Sequence, residues 1–421
     1  MSPNDVVVRD VRKRALHAAV AIILSTVAGP PELASASPTI SSRSGAAENS
    51  QSYKLVGTCV RLGVGDLQNV QLRNVIVNNP LVDAVFIPVG WSSLEPTSGK
   101  FNLRNVQSDV DKWAVNNKKV ILEPILYGQT PEEIVTPEWL YAEKSVQALT
   151  FPGGGNAQGR EVTIPAVWRK GFIEEFLAPL VSALAQEFDG DPRVAYVKIP
   201  YGHIGNITAQ PSRGGGQSLL QNGWTPQLWS DYCIALTEAC RSSFKRTPLL
   251  AVSESMFIRD RVTSNFNAEC RKLLVQLAER GVSILQLQVT GDPTKMSNAY
   301  EDLEPIARFA QAGKIQVGMG DDWPMWVPES RRDKSPTVGE DEKYYASALN
   351  NILNWSGGKL VTLLYTNPTE AIASCRLSTG KERIRFHDCY YRPEVESLLE
   401  NARQRLLDNA ELIRGQHPGL R

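Results

Sequence analysis

Eight stretches of mostly apolar residues recur along the chain, and each is followed by polar or aromatic residues. Helical patterns lie between them; Val106, Val110 and Trp113, for example, recur on one face of a helix. Regular alternation of strand and helix predicts a parallel sheet with crossover helices, and eight repeats predict a single (β/α)8 barrel. The predicted strands span residues 55–62, 82–89, 119–126, 194–199, 248–252, 282–289, 314–319 and 359–364.

The ends of these strands differ in chemistry from their centres, which are apolar. In a (β/α)8 barrel the residues that bind and react stand at the C-terminal strand ends. The fourth strand leads into a glycine-punctuated loop with Tyr201, His203 and Asn206. After the third strand, residues 129–168 form a long insertion rich in Pro, Gly and Trp, and we expect it to overhang the mouth of the barrel.

The first residues have the pattern of an export signal. A basic segment precedes the apolar run 15–29, and Ala34-Ser35-Ala36 resembles a cleavage site. We therefore expect a signal peptide over 1–36, a disordered linker over 37–52 and one (β/α)8 barrel domain over 53–421, closed by a charged helix from about Glu394. The mature protein is then secreted, periplasmic or extracellular, with no membrane span after cleavage.

Composition narrows the ligand class. The chain has 45 basic and 45 acidic side chains, which argues against a nucleic-acid or polybasic membrane partner and favours a neutral ligand such as a carbohydrate. We expect a monomer without a cofactor. Six cysteines permit disulfides in an oxidising compartment. Cys375 with Cys389 is the first pair to test, whereas about 10 Å of helical rise separates Cys233 from Cys240 and prevents their bonding.

The sequence contains no zinc-binding spacing, no phosphate-binding loop and no Gly-x-Ser-x-Gly elbow, so carboxylate acid/base chemistry remains. Hydrolysis of a glycosidic bond needs two carboxyl groups, one to protonate the leaving oxygen and one to attack or activate water. Glu123 lies inside a predicted strand, where a paired charge within the barrel is the expected state. The predicted strand ends supply Glu95, Glu254, Asp292, Asp321 and Asp322.

One segment after the second strand resembles a known family. Residues 91–96, Trp-Ser-Ser-Leu-Glu-Pro, followed by Gly-Lys-Phe at 99–101, are similar to the W-x-x-[L/I]-E-P-x-x-G-x-[Y/F] segment of clan A glycoside hydrolases. Residues 137–140 and 188–197 resemble matching parts of β-galactosidase-like and cellulase-like members. The resemblance covers about the first half of the mature chain. It implies a (β/α)8 barrel, retaining chemistry, an acid/base Glu after the fourth strand and a nucleophilic Glu after the seventh.

The chain departs from this pattern at both catalytic positions. Asn206 stands where the resemblance places the acid, and an amide does not donate a catalytic proton. Asp321 and Asp322 stand where it places the nucleophile. Three interpretations stay open: His203 or Glu254 supplies the proton while an aspartate attacks or activates water; Asn206 orients the substrate; or the barrel binds carbohydrate without cleaving it, through Trp91, Trp139, Trp323 and Trp326.

Each candidate also has a structural interpretation. His203 could bond a backbone carbonyl, the two aspartates could cap a helix, and Glu254 could pair with Arg259 or Arg261. The sequence nevertheless favours a secreted glycoside hydrolase acting on a poly- or oligosaccharide. The alternative is a non-catalytic carbohydrate-binding or cell-envelope protein on a degenerate barrel. The predicted catalytic residues are Asp321, Asp322 and Glu254, and the predicted substrate-binding residues are Trp91, Glu95, Tyr201, His203, Asn206, Gln288, Asp292 and Trp323.

Overall fold

The computed structural model describes residues 55–63, 69–128, 135–144, 146–152, 160–211, 215–258, 266–292, 296–321, 325, 340–368, 371 and 393–417. Its strands are β1 (Gly57–Arg61), β2 (Ala84–Gly90), β3 (Lys119–Ile125), β4 (Ala148–Pro152), β5 (Glu161–Pro165), β6 (Val194–Lys198), β7 (Leu249–Ser253), β8 (Ser283–Gln286), β9 (Val317–Gly320) and β10 (Val361–Thr366). Its longer helices are α1 (Val70–Asn78), α2 (Trp91–Leu94), α3 (Arg104–Ala114), α4 (Glu138–Ala142), α5 (Ala178–Phe188), α6 (Gly216–Gln221), α7 (Pro226–Ser243), α8 (Asn267–Glu279), α9 (Ser297–Leu303), α10 (Ala307–Gln311), α11 (Glu340–Asn354) and α12 (Pro393–Gln416).

Eight of these strands close into a parallel barrel. Its order is β1-β10-β9-β8-β7-β6-β3-β2, and β1 pairs with both β2 and β10. All eight predicted strands are present, so the (β/α)8 barrel is confirmed. The long insertion after β3 contains the antiparallel hairpin of β4 and β5. Its alternating pattern at Val162 and Ile164 buries one face of the hairpin.

Side chains on alternate strand positions fill the inside of the barrel. Phe86 and Tyr365 meet edge to face there, with ring centroids 5.5 Å apart. At the N-terminal end Gln316 Nε2 donates to the Leu55 carbonyl at 2.8 Å and to Thr362 Oγ1 at 3.0 Å, and the Tyr196 hydroxyl donates to Gln316. This end is therefore a packed and hydrogen-bonded floor, which leaves the C-terminal end for chemistry.

The predicted C-terminal helix is present as α12. Its buried residues recur at helical spacing, including Val395, Leu399 and Leu406, and the helix packs on α11 and β10. Arg403 forms an ion pair with Asp83 at 2.6 Å, and Asp83 also accepts from the Thr58 amide at 2.9 Å. The last helix is thus joined through Asp83 to the N-terminal ends of β1 and β2.

Four cysteines lie in the described part of the chain, namely Cys59, Cys233, Cys240 and Cys270, and all four are buried free thiols. Cys375 and Cys389 lie outside it, so their pairing stays a prediction. None of the helices that the structure describes has the length and apolar character needed to cross a membrane. The predicted signal peptide and the predicted linker lie outside the described residues and stay predictions.

Candidate active site

Four polar residues occupy the inner wall of the barrel directly above its apolar layer. Each comes two residues after an inner apolar side chain, and alternation along a strand returns it to the inside. Arg61 follows Cys59 on β1, Glu123 follows Ile121 on β3, Lys198 follows Tyr196 on β6, and Glu254 follows Val252 beyond β7. The sequence therefore brings two carboxylates and two cations to one level of the barrel mouth.

Glu123 is neutralised by two cations. Arg61 Nε lies 2.8 Å from Glu123 Oε2, and Lys198 Nζ lies 2.5 Å from Glu123 Oε1. The Glu123 carboxyl is fully buried, so both partners are needed to offset the loss of hydration. The paired charge expected inside the barrel is confirmed.

The ammonium group of Lys198 uses all three of its donors. It donates to Glu123 Oε1 at 2.5 Å, to the Ile204 carbonyl at 2.9 Å and to Asn206 Oδ1 at 2.7 Å. Burial lowers the pKa of Lys198 to about 8. The positive charge of Arg61 lowers this pKa further, whereas the negative charge of Glu123 raises it. Lys198 is thus a buried cation whose proton is held more weakly than usual.

Asn206 joins this lysine to Glu254. A lysine ammonium has donors only, so the Asn206 atom that faces it is the amide oxygen. The amide nitrogen then faces the other way, and Asn206 Nδ2 donates to Glu254 Oε1 at 2.6 Å. Arg61, Glu123, Lys198, Asn206 and Glu254 form one chain of contacts, which we call the mouth network.

A tight loop after β6 places Asn206. The Gly202 amide donates to the Asn206 carbonyl at 2.9 Å, and a Cβ on Gly202 would come within 2.3 Å of the Thr208 carbonyl oxygen. Gly205 has φ 78°, and Ile204 before it has φ 44°. A left-handed conformation costs a non-glycine residue about 1–2 kcal/mol. The loop stores strain in order to aim the Ile204 carbonyl and the Asn206 amide at Lys198.

The two carboxyl groups of the mouth network stand on the two strands that flank β6, Glu123 on β3 and Glu254 beyond β7. The hydrogen bonds running from Glu123 through Lys198 and Asn206 to Glu254 keep their nearest oxygens within about 10 Å. Both are almost fully buried, with Glu254 only 1% exposed. Their electrostatic settings differ, since two cations hold Glu123 while a neutral amide donates to Glu254.

Two predicted binding residues pack the base of the loop after β2. Trp91 Nε1 donates to Glu95 Oε2 at 2.8 Å, and the Gly99 amide donates to Glu95 Oε1 at 2.7 Å. Trp139 Nε1 donates to the Glu95 carbonyl at 2.9 Å, and the Trp91 and Trp139 rings meet edge to face. Trp91 is fully buried and packs against Trp139, and its predicted role in binding a sugar stays a prediction.

Tyr201 and His203 also lie behind the mouth. The Tyr201 hydroxyl is 2.7 Å from Thr237 Oγ1 on α7, and Tyr232 donates to the Tyr201 carbonyl at 2.9 Å. These contacts fasten the loop after β6 to the outer helix layer. His203 is fully buried, and its amide donates to the Thr208 carbonyl at 2.8 Å. The predicted contacts of Tyr201 and His203 with a sugar stay predictions.

The remaining predicted residues belong to the loops after β8 and β9. Gln288 has φ 67° and Asp292 is half-buried, with its amide donating to Thr290 Oγ1 at 3.3 Å. Asp321 follows β9 directly and is 3% exposed. Its roles stay predictions, as do those of Gln288 and Asp292. The other predicted residues lie outside the described residues: Asp322, Trp323 and Trp326, with the arginines considered as partners of Glu254, Arg259 and Arg261.

Sequence reasoning missed two members of the mouth network. Arg61 was read as the end of a strand, and Lys198 as part of a buried apolar run. The signal that could have found them is the two-residue alternation from Cys59 and from Tyr196, which directs both side chains inward. Neither residue lies in a polar loop, where candidate chemistry was sought.

A second polar cluster lies on the outer side of the same wall. Gln286 Nε2 donates to Ser255 Oγ at 2.9 Å, and Arg271 Nε donates to Asp302 Oδ1 at 3.0 Å. Burial raises the pKa of Asp302 to about 6, although the Ser255 hydroxyl and the Arg271 guanidinium both act to lower it. Within the described part of the chain, Asp302 Oδ2 and Gln286 Oε1 have no hydrogen-bond partner. We call Ser255, Arg271, Gln286 and Asp302 the outer cluster.

Across the ranges described above, no group of three or more His, Cys, Asp or Glu side chains is arranged to hold a metal ion. The polar side chains of the mouth network are hydrogen-bonded to one another.

Of the comparisons with known proteins, the one with solved structures gave matches. No family model matches the chain, and no curated protein matches it. Among solved structures, xylanase 10B from Thermotoga maritima is 12% identical over 85% of this chain and 98% of that chain, with a TM-score of 0.48. GH10 from Paenibacillus barcinonensis is 12% identical over 85% and 97%, with a TM-score of 0.49. Xylanase 10B from Thermotoga petrophila RKU-1 in complex with xylobiose is 13% identical over 84% and 96%, with a TM-score of 0.47. Likeness at this level assigns no residue a role, and the barrel rests on the strand pairing of the chain itself.

Proposed function

We propose that this protein is an exported glycoside hydrolase that cleaves a poly- or oligosaccharide with Glu254 as its central carboxylate. One observation carries the proposal: Glu254 stands on the inner wall at the C-terminal end of a barrel strand, where Asn206 donates to it at 2.6 Å. Reactive groups of (β/α)8 barrels occupy this position. Glu123, at the same level, is committed to two cations and serves as a structural charge.

The hydrogen bond from Asn206 suggests the role of Glu254. An N–H donor stabilises a carboxylate in its ionised form, which suits a nucleophile or a base that activates water. The second carboxyl group then supplies the proton, and Asp321 or Asp322 at the end of β9 is the proposed source. This assignment reverses the roles that the sequence favoured, in which Glu254 gave the proton and an aspartate attacked.

A second candidate function follows from Asn206 itself. The residue stands where the resemblance to clan A places the acid, and Lys198 holds its amide in one orientation at 2.7 Å. A fixed amide at that place suits recognition of a sugar hydroxyl better than proton transfer. On this interpretation the exported barrel binds a glycan and does not cleave it.

Hydrolysis of a panel of plant, algal and bacterial glycans by the mature protein separates the two functions. Reducing ends are followed for the wild type, Glu254→Gln, Asp321→Asn and the control Glu279→Gln, whose side chain is exposed on α8. We expect release that Glu254→Gln abolishes and Glu279→Gln preserves. No release from any glycan, together with calorimetric binding to one of them, would establish the binding function instead.

A further inference from the structure

We propose that Lys198 is a positioning residue that sets the protonation state of Glu254 through the amide of Asn206. Its catalytic consequence rests on the proposed hydrolase function, whereas the coupling itself is a property of the mouth network. Three hydrogen bonds carry it, from Lys198 to Glu123, from Lys198 to Asn206 and from Asn206 to Glu254.

The first step is the orientation of the amide. While Lys198 keeps its proton, the Asn206 oxygen must face it, so the amide nitrogen must face Glu254. Lys198 has little freedom to move away, because its side chain is 1% exposed. It also packs closely on Gly205, where an added Cβ would lie 3.2 Å from Lys198 Cε. The charged lysine therefore presents Glu254 with an N–H donor and holds it as a carboxylate.

The second step is what happens when Lys198 loses its proton. A neutral amine has a lone pair, which can accept from the Asn206 nitrogen after the amide turns over. The amide oxygen then faces Glu254, and two facing acceptors require a hydrogen between them. Glu254 must take up a proton to supply it. One proton leaves Lys198 for solvent and one reaches Glu254 from solvent, so the net charge of the network is unchanged.

The surroundings of Lys198 make this exchange accessible. The charged groups that face it are Glu123 on β3, Arg61 on β1 and Glu254 beyond β7, and burial brings the pKa of Lys198 to about 8. The two states of Asn206 thus hold Glu254 either as a carboxylate, which faces an N–H donor, or as a protonated acid, which faces the amide oxygen.

The test measures the titration of Glu254 without any substrate. The full chain is labelled with carboxyl-13C glutamate, and the Glu254 signal is assigned by its loss in Glu254→Gln. Lys198→Met removes the ammonium donor. Lys118→Met is the matched control, since Lys118 is also buried and donates to the Asn79 and Val82 carbonyls at 2.6 and 2.7 Å, outside the mouth network.

We expect the titration midpoint of Glu254 to rise by about one pH unit or more in Lys198→Met, a tenfold change in proton affinity, and to stay in place in Lys118→Met. Equal midpoints in wild type and Lys198→Met would overturn the coupling. If Lys198→Met does not fold, the double variant Lys198→Met/Glu123→Gln also removes the Glu123 carboxylate, which loses its Lys198 partner in the single variant. The titration of Glu254 is then measured in the double variant. The proposed function is tested separately. If the wild type hydrolyses no glycan but its Glu254 midpoint still shifts in Lys198→Met, the hydrolase function fails and the coupling stands.

Discussion

The two sides of the barrel wall beyond β7 differ in how their buried polar groups are satisfied. Glu254 faces the mouth network, where each donor of Lys198 has an acceptor and Glu123 has two cations. The next residue, Ser255, belongs to the outer cluster. In that cluster Asp302 Oδ2 and Gln286 Oε1 have no hydrogen-bond partner among the described residues. Donors therefore meet the carboxylates on the inside, whereas these two oxygens on the outside have no donor within the described residues.

This difference decides which protonation state each side favours. On the inside, cations and amide hydrogens stabilise ionised carboxylates. On the outside, a proton on Asp302 would give the cluster the donor it lacks, and burial raises the pKa of Asp302 to about 6 in agreement. Asp302 thus keeps its proton to a higher pH than an ordinary aspartate does, whereas the donors around Glu254 and Glu123 favour the ionised form. The same replacement of acid by amide should act differently on the two sides.

The largest effect is expected for Glu254→Gln, on activity. The glutamine oxygen can still accept from Asn206, so the free energy of unfolding should change by less than about 1 kcal/mol. Turnover of the glycan substrate should fall by about 10²–10⁴-fold, because the variant has no carboxylate to act as base or nucleophile. Initial rates and urea denaturation measure the two quantities on one preparation. Unchanged turnover would remove Glu254 from the chemistry.

The next effect is expected for Glu123→Gln, on stability. The change is the same as at Glu254, but here it leaves the Lys198 ammonium buried without its anion. We expect unfolding in urea to show a loss of about 3–5 kcal/mol. Glu279→Gln on the exposed face of α8 is the control and should change stability by less than about 0.5 kcal/mol. A small loss at Glu123 would mean that the Lys198 ammonium is tolerated without this carboxylate, through its hydrogen bonds to Ile204 and Asn206.

These two glutamates also show how far sequence reasoning reaches. Apolar runs locate all eight barrel strands, because a strand buried on both faces reads as a continuous hydrophobic segment. The paired state of Glu123 follows from its place inside such a run. That Asn206 meets Glu254 depends on the adjacency of β6 and β7 and on the strained turn at Ile204, which no local pattern specifies.

Trp91 shows what sequence reasoning does not predict, namely whether an aromatic ring is buried or exposed. An aromatic residue after a barrel strand suggests a sugar platform, and a buried ring gives the same sequence signal as an exposed one. Only the packing of α4 against the loop after β2, through Trp139 and the Glu95 carbonyl, shows that the indole is enclosed. Burial of this kind depends on contacts between segments more than forty residues apart.

A moderate effect with a pH signature is expected for Asp302→Asn in the outer cluster. Because the pKa of Asp302 is raised in the folded state, its stabilising contribution is complete below about pH 3.8 and is lost as the pH rises through about 6. The variant lacks this loss, so its stability relative to wild type should increase by about 2–3 kcal/mol between pH 4 and pH 7. Arg271 keeps Glu301 as an ion-pair partner at 2.9 Å. A stability difference independent of pH would show that Asp302 is ionised throughout.

The smallest effect separates the two roles of Ser255, whose hydroxyl accepts from Gln286 Nε2 at 2.9 Å and whose backbone is left-handed with φ 64°. Ser255→Ala and Ser255→Gly both remove the hydroxyl, which should cost about 1 kcal/mol. Glycine also removes the left-handed penalty, so it should be more stable than alanine by about 1 kcal/mol. Chemical denaturation at pH 7 measures the difference. If alanine and glycine are equal, the left-handed turn beside Glu254 holds no strain, and the hydrogen bond alone determines how the outer cluster supports the mouth.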